Sequence, residues 1–131
     1  SPVAAVHALA YPIGGTFHIS HGLSNSLVLP YVLRFNTVEA KASKDYAELA
    51  PYVFPNIDTN KGAQAISAEF IDKLEDLSKK LGLPQKLREV DIPKEACEKM
   101  AQDAMKQTRL LVNNPREVTE KDALNIYESA W

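Results

Sequence analysis

The segment from Val6 to Asn36 reads VHALAYPIGGTFHISHGLSNSLVLPYVLRFN and contains all three histidines of the 131-residue chain, His7, His18 and His21. The imidazoles lie among alanines, leucines and valines, where a polar ring must pack, form hydrogen bonds or bind a ligand. On one straight helix, His7 and His21 would be ~21 Å apart. They can meet only if the chain turns between them.

The pair Gly14-Gly15 predicts that turn, because two glycines end a helix at little cost. Ser20 is then a typical N-cap for a second helix beginning near His21. A helix–turn–helix of this kind would bring His7 and His21 to one site, and imidazole suits iron, zinc, nickel or copper. Two histidines alone do not define a metal site, since a catalytic metal usually takes three or more protein ligands. Filling a gap in a helical core is the alternative role.

The remaining sequence favours helices, because no stretch alternates like a convincing strand. The predicted fold class is all-α, with about six helices. The third helix should turn Ala42, Tyr46 and Leu49 inward. The predicted helices cover residues 3–14, 21–35, 38–52, 63–81, 93–107 and 120–130.

The helix over 63–81 has the clearest pattern, with an apolar residue every three or four positions. Gly82 is its predicted C-cap. The last helix begins with Thr119 as N-cap and Asp122 three residues later, which resembles a capping box. The predicted core stripe of the 63–81 helix consists of Ile66, Phe70, Leu74, Leu77 and Leu81.

Composition excludes several classes of function. The net charge of −2 gives no broad basic surface for nucleic acid. No apolar run approaches the ~20 residues that cross a bilayer, and the apolar start lacks the basic lead of a secretory signal. The single Cys97 rules out an internal disulfide and fits a reducing compartment. We therefore expect a cytoplasmic protein with neither nucleic-acid nor membrane partners.

The histidine segment resembles the metal-site segment of the iron-containing (group III) alcohol dehydrogenases. That family carries H-A-x-A-H-x-x-G-x-x-x-x-x-P-H-G-x-x-N-A-x-x-L-P-x-V-x-x-F-N. The end of the chain is also similar to the family, through Asn114-Pro115-Arg116 and the start of the last helix. The matching positions of the first segment are His7-Ala8-Leu9-Ala10-Tyr11, Gly14, Ser20-His21-Gly22, Asn25-Ser26, Leu29-Pro30, Val32 and Phe35-Asn36.

The resemblance implies roles for individual residues. His7 and His21 fall where the family has its last two metal-ligating histidines. Tyr11 is the candidate catalytic position, because many members have there a further histidine near the nicotinamide that is not a metal ligand. A phenol titrates near ~10 and an imidazole near ~6.5, so we expect Tyr11 to shape the pocket. His18 has no ligand counterpart in the family and is expected to line the pocket or the surface.

The resemblance also implies what this sequence lacks. The family's dinucleotide-binding domain has a GGGS-type phosphate loop, and its other two metal ligands, an aspartate and a histidine, precede the segment seen here. The sequence contains no GGGS-type loop and no histidine before His7, and it starts Ser1-Pro2. We expect the C-terminal, dehydroquinate synthase-like helical domain of a metal-dependent enzyme that uses Fe²⁺ (or Zn²⁺) and NAD(P) on a small alcohol or aldehyde. This chain alone should be inactive and bind neither cofactor.

Two alternatives stay open at this stage. The first predicted helix is apolar nearly all round, so one side should be exposed or masked by another copy, which indicates a helical packing or oligomerisation domain without its own ligand. A maleylacetate reductase-type enzyme is the other reading. The apolar residues of this helix are Val3, Ala4, Ala5, Val6, Ala8, Leu9 and Ala10.

Overall fold

The computed structural model describes residues 4–131. These residues form seven α-helices and one 3-10 helix and no strand, so the all-α prediction is confirmed. The helix beyond the six predicted is a single turn, Thr108–Leu111, in the segment before the last helix. The elements are α1 Ala4–Phe17, α2 His21–Asn36, α3 Ala40–Val53, α4 Ala63–Lys80, the 3-10 helix Leu87–Val90, α5 Ala96–Ala104, α6 Thr108–Leu111 and α7 Glu120–Ala130.

Helix α1 lies in the centre of the larger of two cores, where it packs against α2, α5 and α6. The sequence predicted that one side of this helix is uncovered, and that prediction is wrong for the described residues. The other helices of this chain cover its apolar side chains, while Tyr11 remains 60% exposed. Val3, the predicted first residue, lies outside the described residues. The buried residues of α1 are Ala4, Ala5, Val6, Ala8, Leu9, Ala10, Pro12 and Ile13.

The predicted turn between the first two helices exists but lies farther along the chain. Helix α1 continues through Gly14 and Gly15 to Phe17, so the prediction of a stop at the two glycines is wrong. The chain reverses instead at His18, which has a left-handed φ of 57° and whose N–H donates to the Gly14 carbonyl at 3.0 Å. Each helical glycine costs up to ~1 kcal/mol relative to alanine. We infer that the burial of α1 outweighs this cost.

Helix α2 starts as predicted, because Ser20 is its N-cap and accepts a hydrogen bond from the Leu23 N–H at 3.4 Å. Pro30 lies inside α2, where a proline removes one helical hydrogen bond and would be expected to kink or break the helix near Val28. There is no break, since α2 is one helix over residues 21–36 with Pro30 buried inside it. The proline ring is accommodated in the core between α2 and its neighbours.

Helices α3 and α4 form a hairpin around a second, smaller core. Ala42, Tyr46, Ile66 and Phe70 are buried in it as predicted. The prediction that three further leucines point inward is wrong, because their side chains lie at the solvent-facing edge of the hairpin. Leu49, Leu77 and Leu81 are 47%, 44% and 68% exposed.

The predicted caps of α4 and α7 are both present. Gly82 has a φ of 78°, its N–H donates to Lys79, and the Leu83 N–H donates to Ser78, which is a Schellman motif. At α7, the Thr119 Oγ1 accepts from the Asp122 N–H while the Asp122 carboxylate accepts from the Thr119 N–H. Both ends therefore follow from local sequence.

Helix α5 is shorter than the predicted 93–107 and packs against α1 and α7. Its Cys97 is 2% exposed, and burial raises the pKa of the thiol, as is typical of an unreactive structural cysteine. Trp131 follows α7 and is anchored to the rest of the fold. The indole N–H of Trp131 donates to the Ile92 carbonyl at 2.8 Å, and the Arg88 guanidinium lies 4.7 Å from the ring centroid.

Candidate metal and substrate site

The imidazoles of His7 and His21 lie side by side. Their ring centroids are 5.4 Å apart and the ring planes are inclined by only 5°, which is a stacked arrangement. His7 lies in the first turn of α1 and is partly buried, and His21 is the exposed first residue of α2. The reversal of the chain at 18–20 therefore brings the two residues together, as the sequence predicted for a turn that it placed earlier, at Gly14-Gly15.

The position of α1 beneath this pair is fixed by Tyr127 of α7. The Tyr127 hydroxyl donates to the Leu9 carbonyl at 2.5 Å, and its side chain is fully buried. Burial raises the pKa of Tyr127 far above its ordinary value, so the hydroxyl stays protonated and remains a donor. The bond fixes the backbone two residues after His7.

A groove opens beside the histidine pair. It has a volume of about 290 Å³ and passes between the second half of α1 and the start of α2. Tyr11 and His21 both border it, so the predicted pocket position of Tyr11 lies next to one of the two imidazoles. The other lining residues are Ala10, Gly14, Gly15, Ile19 and Ser24.

Sequence reasoning missed several residues of this groove. Ala10 and Gly14 are four apart and share one face of α1, a spacing that brings a small-residue face against a neighbour. An added Cβ at Gly14 would lie 3.1 Å from the Ile19 carbonyl oxygen, so a larger residue here would push the turn outward. The four-residue spacing of Ala10 and Gly14 was visible in the sequence. It was missed because the first helix was predicted to end at Gly14.

His18, the third histidine, lies in the turn between α1 and α2 and is exposed. It is the residue that adopts the left-handed backbone conformation, which costs a non-glycine residue ~1–2 kcal/mol. Its structural role is therefore to reverse the chain after α1. Its exposure agrees with the surface position that was one of the two expected, and it does not line the groove.

The donor chemistry of the histidine pair fits iron or zinc, but the set is incomplete. Each ring nitrogen binds such an ion at ~2.1 Å, so ligands of one ion must come from side chains in close proximity, as these two are. Within residues 4–131, no group of three or more histidine, cysteine, aspartate or glutamate side chains could hold a metal. At this site the described residues therefore contribute two imidazoles, those of His7 and His21.

The residues 4–131 contain no helix that combines the length and the apolar character of a membrane span.

Comparison with known proteins gives a family for the chain. Residues 1–131 match the family model described as Fe-containing alcohol dehydrogenase family, C-terminal. This chain belongs to the Fe-containing alcohol dehydrogenase family. The match spans the histidine pair, the groove and the last helix alike, so the resemblance seen in two separate segments extends over the whole sequence.

Individual relatives are several times longer than this chain. It is 38% identical over 129 residues to Long-chain-alcohol dehydrogenase 1 of Geobacillus thermodenitrificans, covering 98% of this chain and 32% of that protein. It is 29% identical to Lactaldehyde reductase of Escherichia coli (strain K12), covering 96% of this chain and 32% of the relative. The chain therefore spans about a third of the length of these relatives.

A solved structure of 1,3-propanediol oxidoreductase has the same fold. The TM-score is 0.88 at 29% identity, over 97% of this chain and 32% of that one. An alcohol dehydrogenase from Oenococcus oeni gives a TM-score of 0.85 at 28% identity, over 96% of this chain and 32% of the other.

Proposed function

We propose that this chain is the C-terminal helical part of a metal-dependent, NAD(P)-linked alcohol dehydrogenase, in which His7 and His21 supply two of the metal ligands. The observation that carries the proposal is the stacked pair of imidazoles, 5.4 Å apart, contributed by two helices. The family and the names of its relatives support the same chemistry. The remaining ligands and the dinucleotide site would come from a domain that precedes this one in the complete enzyme.

The helices act by holding the two rings in a fixed relation. α1 is anchored by the hydrogen bond between Tyr127 and Leu9. α2 begins at His21, directly after its N-cap residue Ser20. Both imidazoles must be neutral to bind a metal, so acid competes with metal uptake. Iron or zinc held there would supply Lewis-acid polarisation of the alcohol or carbonyl oxygen, and NAD(P) would exchange the hydride.

Tyr11 is proposed to bound the substrate pocket. It lines the groove next to His21 and presents 60% of its surface outward, where the preceding domain would meet it. The site formed by this chain lies open, and half of its ligand set would be elsewhere. Alone, the chain should not oxidise alcohols.

The packing or oligomerisation alternative rested on an uncovered apolar first helix. Among the described residues, the apolar residues of α1 from Ala4 to Ile13 are buried within this chain, so they leave no uncovered apolar surface that would favour this alternative. The relatives named above are alcohol dehydrogenases and an aldehyde reductase. We therefore propose the alcohol dehydrogenase over both alternatives.

Metal analysis of a full-length enzyme carrying this chain tests the proposal. His7→Ala and His21→Ala should each lower the affinity for Fe²⁺ or Zn²⁺ by more than ~100-fold, because even partners outside the ligand set are worth ~10–100-fold. His18→Asn is the matched control, since it also removes an imidazole but asparagine tolerates the left-handed turn. Equal metal content in His21→Ala and His18→Asn would remove His21 from the ligand set.

A further inference from the structure

A buried polar atom one helical turn after His21 has no hydrogen-bond partner. The side-chain oxygen Oδ1 of Asn25 is enclosed by the protein, yet no group within residues 4–131 donates to it. A buried carbonyl oxygen in this state has lost the hydrogen bonds that water gives it in the unfolded chain. Few buried polar groups in folded proteins are left in this way, so the oxygen of Asn25 requires an explanation.

The position of Asn25 on α2 places its side chain beside His21. The two residues are four apart and share one face of the helix. Cβ atoms at this spacing are ~5–6 Å apart, and a helical side chain leans towards the residue one turn before it. The amide of Asn25 and the ring of His21 can therefore meet by rotation about side-chain bonds, without movement of the backbone.

The imidazole of His21 has an N–H available for this oxygen. Its ring stacks on that of His7, but neither ring forms a hydrogen bond within the described residues. A neutral imidazole carries its proton on one nitrogen, and a hydrogen bond to that N–H leaves the other nitrogen free to bind a metal. Nδ1 lies nearer the main chain than Nε2, so it is the nitrogen that a neighbour on the same helix reaches.

We propose that Asn25 positions His21, because its Oδ1 accepts the Nδ1–H of His21 and so leaves Nε2 for the metal. This inference rests on the function proposed above and adds to it a residue that is not itself a ligand. In the stacked arrangement the two atoms are not bonded, and a turn of the His21 ring away from His7 makes the bond. The pairing explains why an oxygen is retained at this buried position.

The Zn²⁺ affinity of the full-length enzyme, measured by competition with a chelator, tests the assignment. Asn25→Leu removes the oxygen at similar side-chain size and should weaken Zn²⁺ binding ~10–100-fold, the range for partners of ligating histidines. Asn25→Asp keeps an acceptor and should bind Zn²⁺ about as tightly as the wild type, since carboxylates also hold ligating histidines. Asn125→Leu is the matched control and should change nothing, because Asn125 is an exposed asparagine on α7.

Urea unfolding of this chain separates positioning from a structural role. Since the oxygen has no partner in the fold, Asn25→Leu should leave the unfolding midpoint unchanged or raise it. A lowered midpoint together with unchanged Zn²⁺ affinity would make Asn25 a structural residue and overturn the proposal. If Asn25→Leu does not fold, Asn25→Ala takes its place in both measurements, because it removes the same oxygen without adding bulk.

A double-mutant cycle identifies the histidine that Asn25 acts on. In a His21→Ala background, Asn25→Leu should no longer change Zn²⁺ affinity, whereas in a His7→Ala background it should still weaken it. An undiminished effect in the His21→Ala background overturns the proposal. An Asn25→Asp enzyme that binds Zn²⁺ as weakly as Asn25→Leu overturns it as well.

The same measurements separate this inference from the proposed function. If His21→Ala weakens metal binding and Asn25→Leu does not, the role of Asn25 is wrong and the proposed metal site stands. If the wild-type full-length enzyme binds neither Fe²⁺ nor Zn²⁺, or if His21→Ala leaves binding unchanged, the proposed function and this inference fail together.

Discussion

The side-chain amides of Asn36 and Asn114 form a reciprocal pair across 78 residues of sequence. Asn36 Nδ2 donates to Asn114 Oδ1 at 3.1 Å, and Asn114 Nδ2 donates to Asn36 Oδ1 at 2.8 Å. The Asn36 amide also donates to the Tyr46 hydroxyl of α3 at 3.1 Å. Next to this pair, the Arg116 guanidinium donates to the Phe35 carbonyl at 2.9 Å. The network joins the end of α2 to the second core and to the segment before α7.

Asn114→Ala should lower the free energy of unfolding by ~1–3 kcal/mol, because it leaves the fully buried Asn36 carbonyl oxygen without its donor. Urea unfolding of the chain measures the change. Asn56→Ala is the control, since Asn56 is exposed in the loop after α3 and should change stability by less than ~0.5 kcal/mol. Equal effects of the two substitutions would show that the amide pair has no net stabilising role.

Local signals in the sequence predicted the helix ends, and the failures involve distant neighbours. The caps at Ser20, Gly82 and Thr119 each depend on residues within one turn and were predicted correctly. The periodicity of α4 continues to Leu77 and Leu81, but no neighbouring helix covers the last turn. The sequence of a helix shows which of its faces is apolar, but it does not show how far along that face a neighbouring helix packs.

At the candidate site, too, some features were predicted from the sequence and others depend on tertiary packing. The spacing of His7 and His21 predicted that they meet, and they do. The position of the turn was missed, because glycines usually end helices whereas here tertiary packing extends α1 through two of them. The pairing of Asn36 with Asn114 left no periodic signal, since it depends on how α2 and the last loop pack together.

The backbone of His18 leads to a prediction about the turn. His18→Gly should leave the free energy of unfolding unchanged or raise it by up to ~1 kcal/mol, because glycine adopts the left-handed conformation without the steric cost. His18→Val should lower it by ~1–2 kcal/mol, since a β-branched residue is poorly tolerated there. Thermal unfolding of the two variants is the measurement, and a valine variant as stable as the glycine variant would contradict it.

Arg34 joins α2 to α4 through two carboxylates. Its guanidinium contacts Glu75 at 3.1 and 3.2 Å and Asp72 at 2.9 Å, and the Glu75 and Asp72 contacts raise the pKa of Arg34. Glu75→Gln should lower the free energy of unfolding by less than ~1 kcal/mol, because the group is partly solvated. The loss should shrink as salt rises. Asp45→Asn, in the more exposed Lys41–Asp45 pair, is expected to have a smaller effect.

Tyr127 predicts how the fold responds to alkali. Burial raises the pKa of its phenol above the ordinary value of 10.0. The unfolded chain therefore loses this proton first as pH rises, so the contribution of Tyr127 is fully present below pH ~10 and is lost above it. Unfolding free energy should fall by up to ~1.4 kcal/mol per pH unit above that value on account of this group.

Tyr127→Phe isolates that contribution. It removes the titrating hydroxyl together with the hydrogen bond to Leu9, so the variant should be ~1–3 kcal/mol less stable at neutral pH yet lose less stability between pH 10 and 11. Cys97→Ala controls for the second buried group, because burial raises the pKa of that thiol above its ordinary value of 9.0 and its contribution declines from a lower pH. Parallel pH profiles for wild type and Tyr127→Phe would exclude Tyr127 as the group responsible for the loss of stability in alkali.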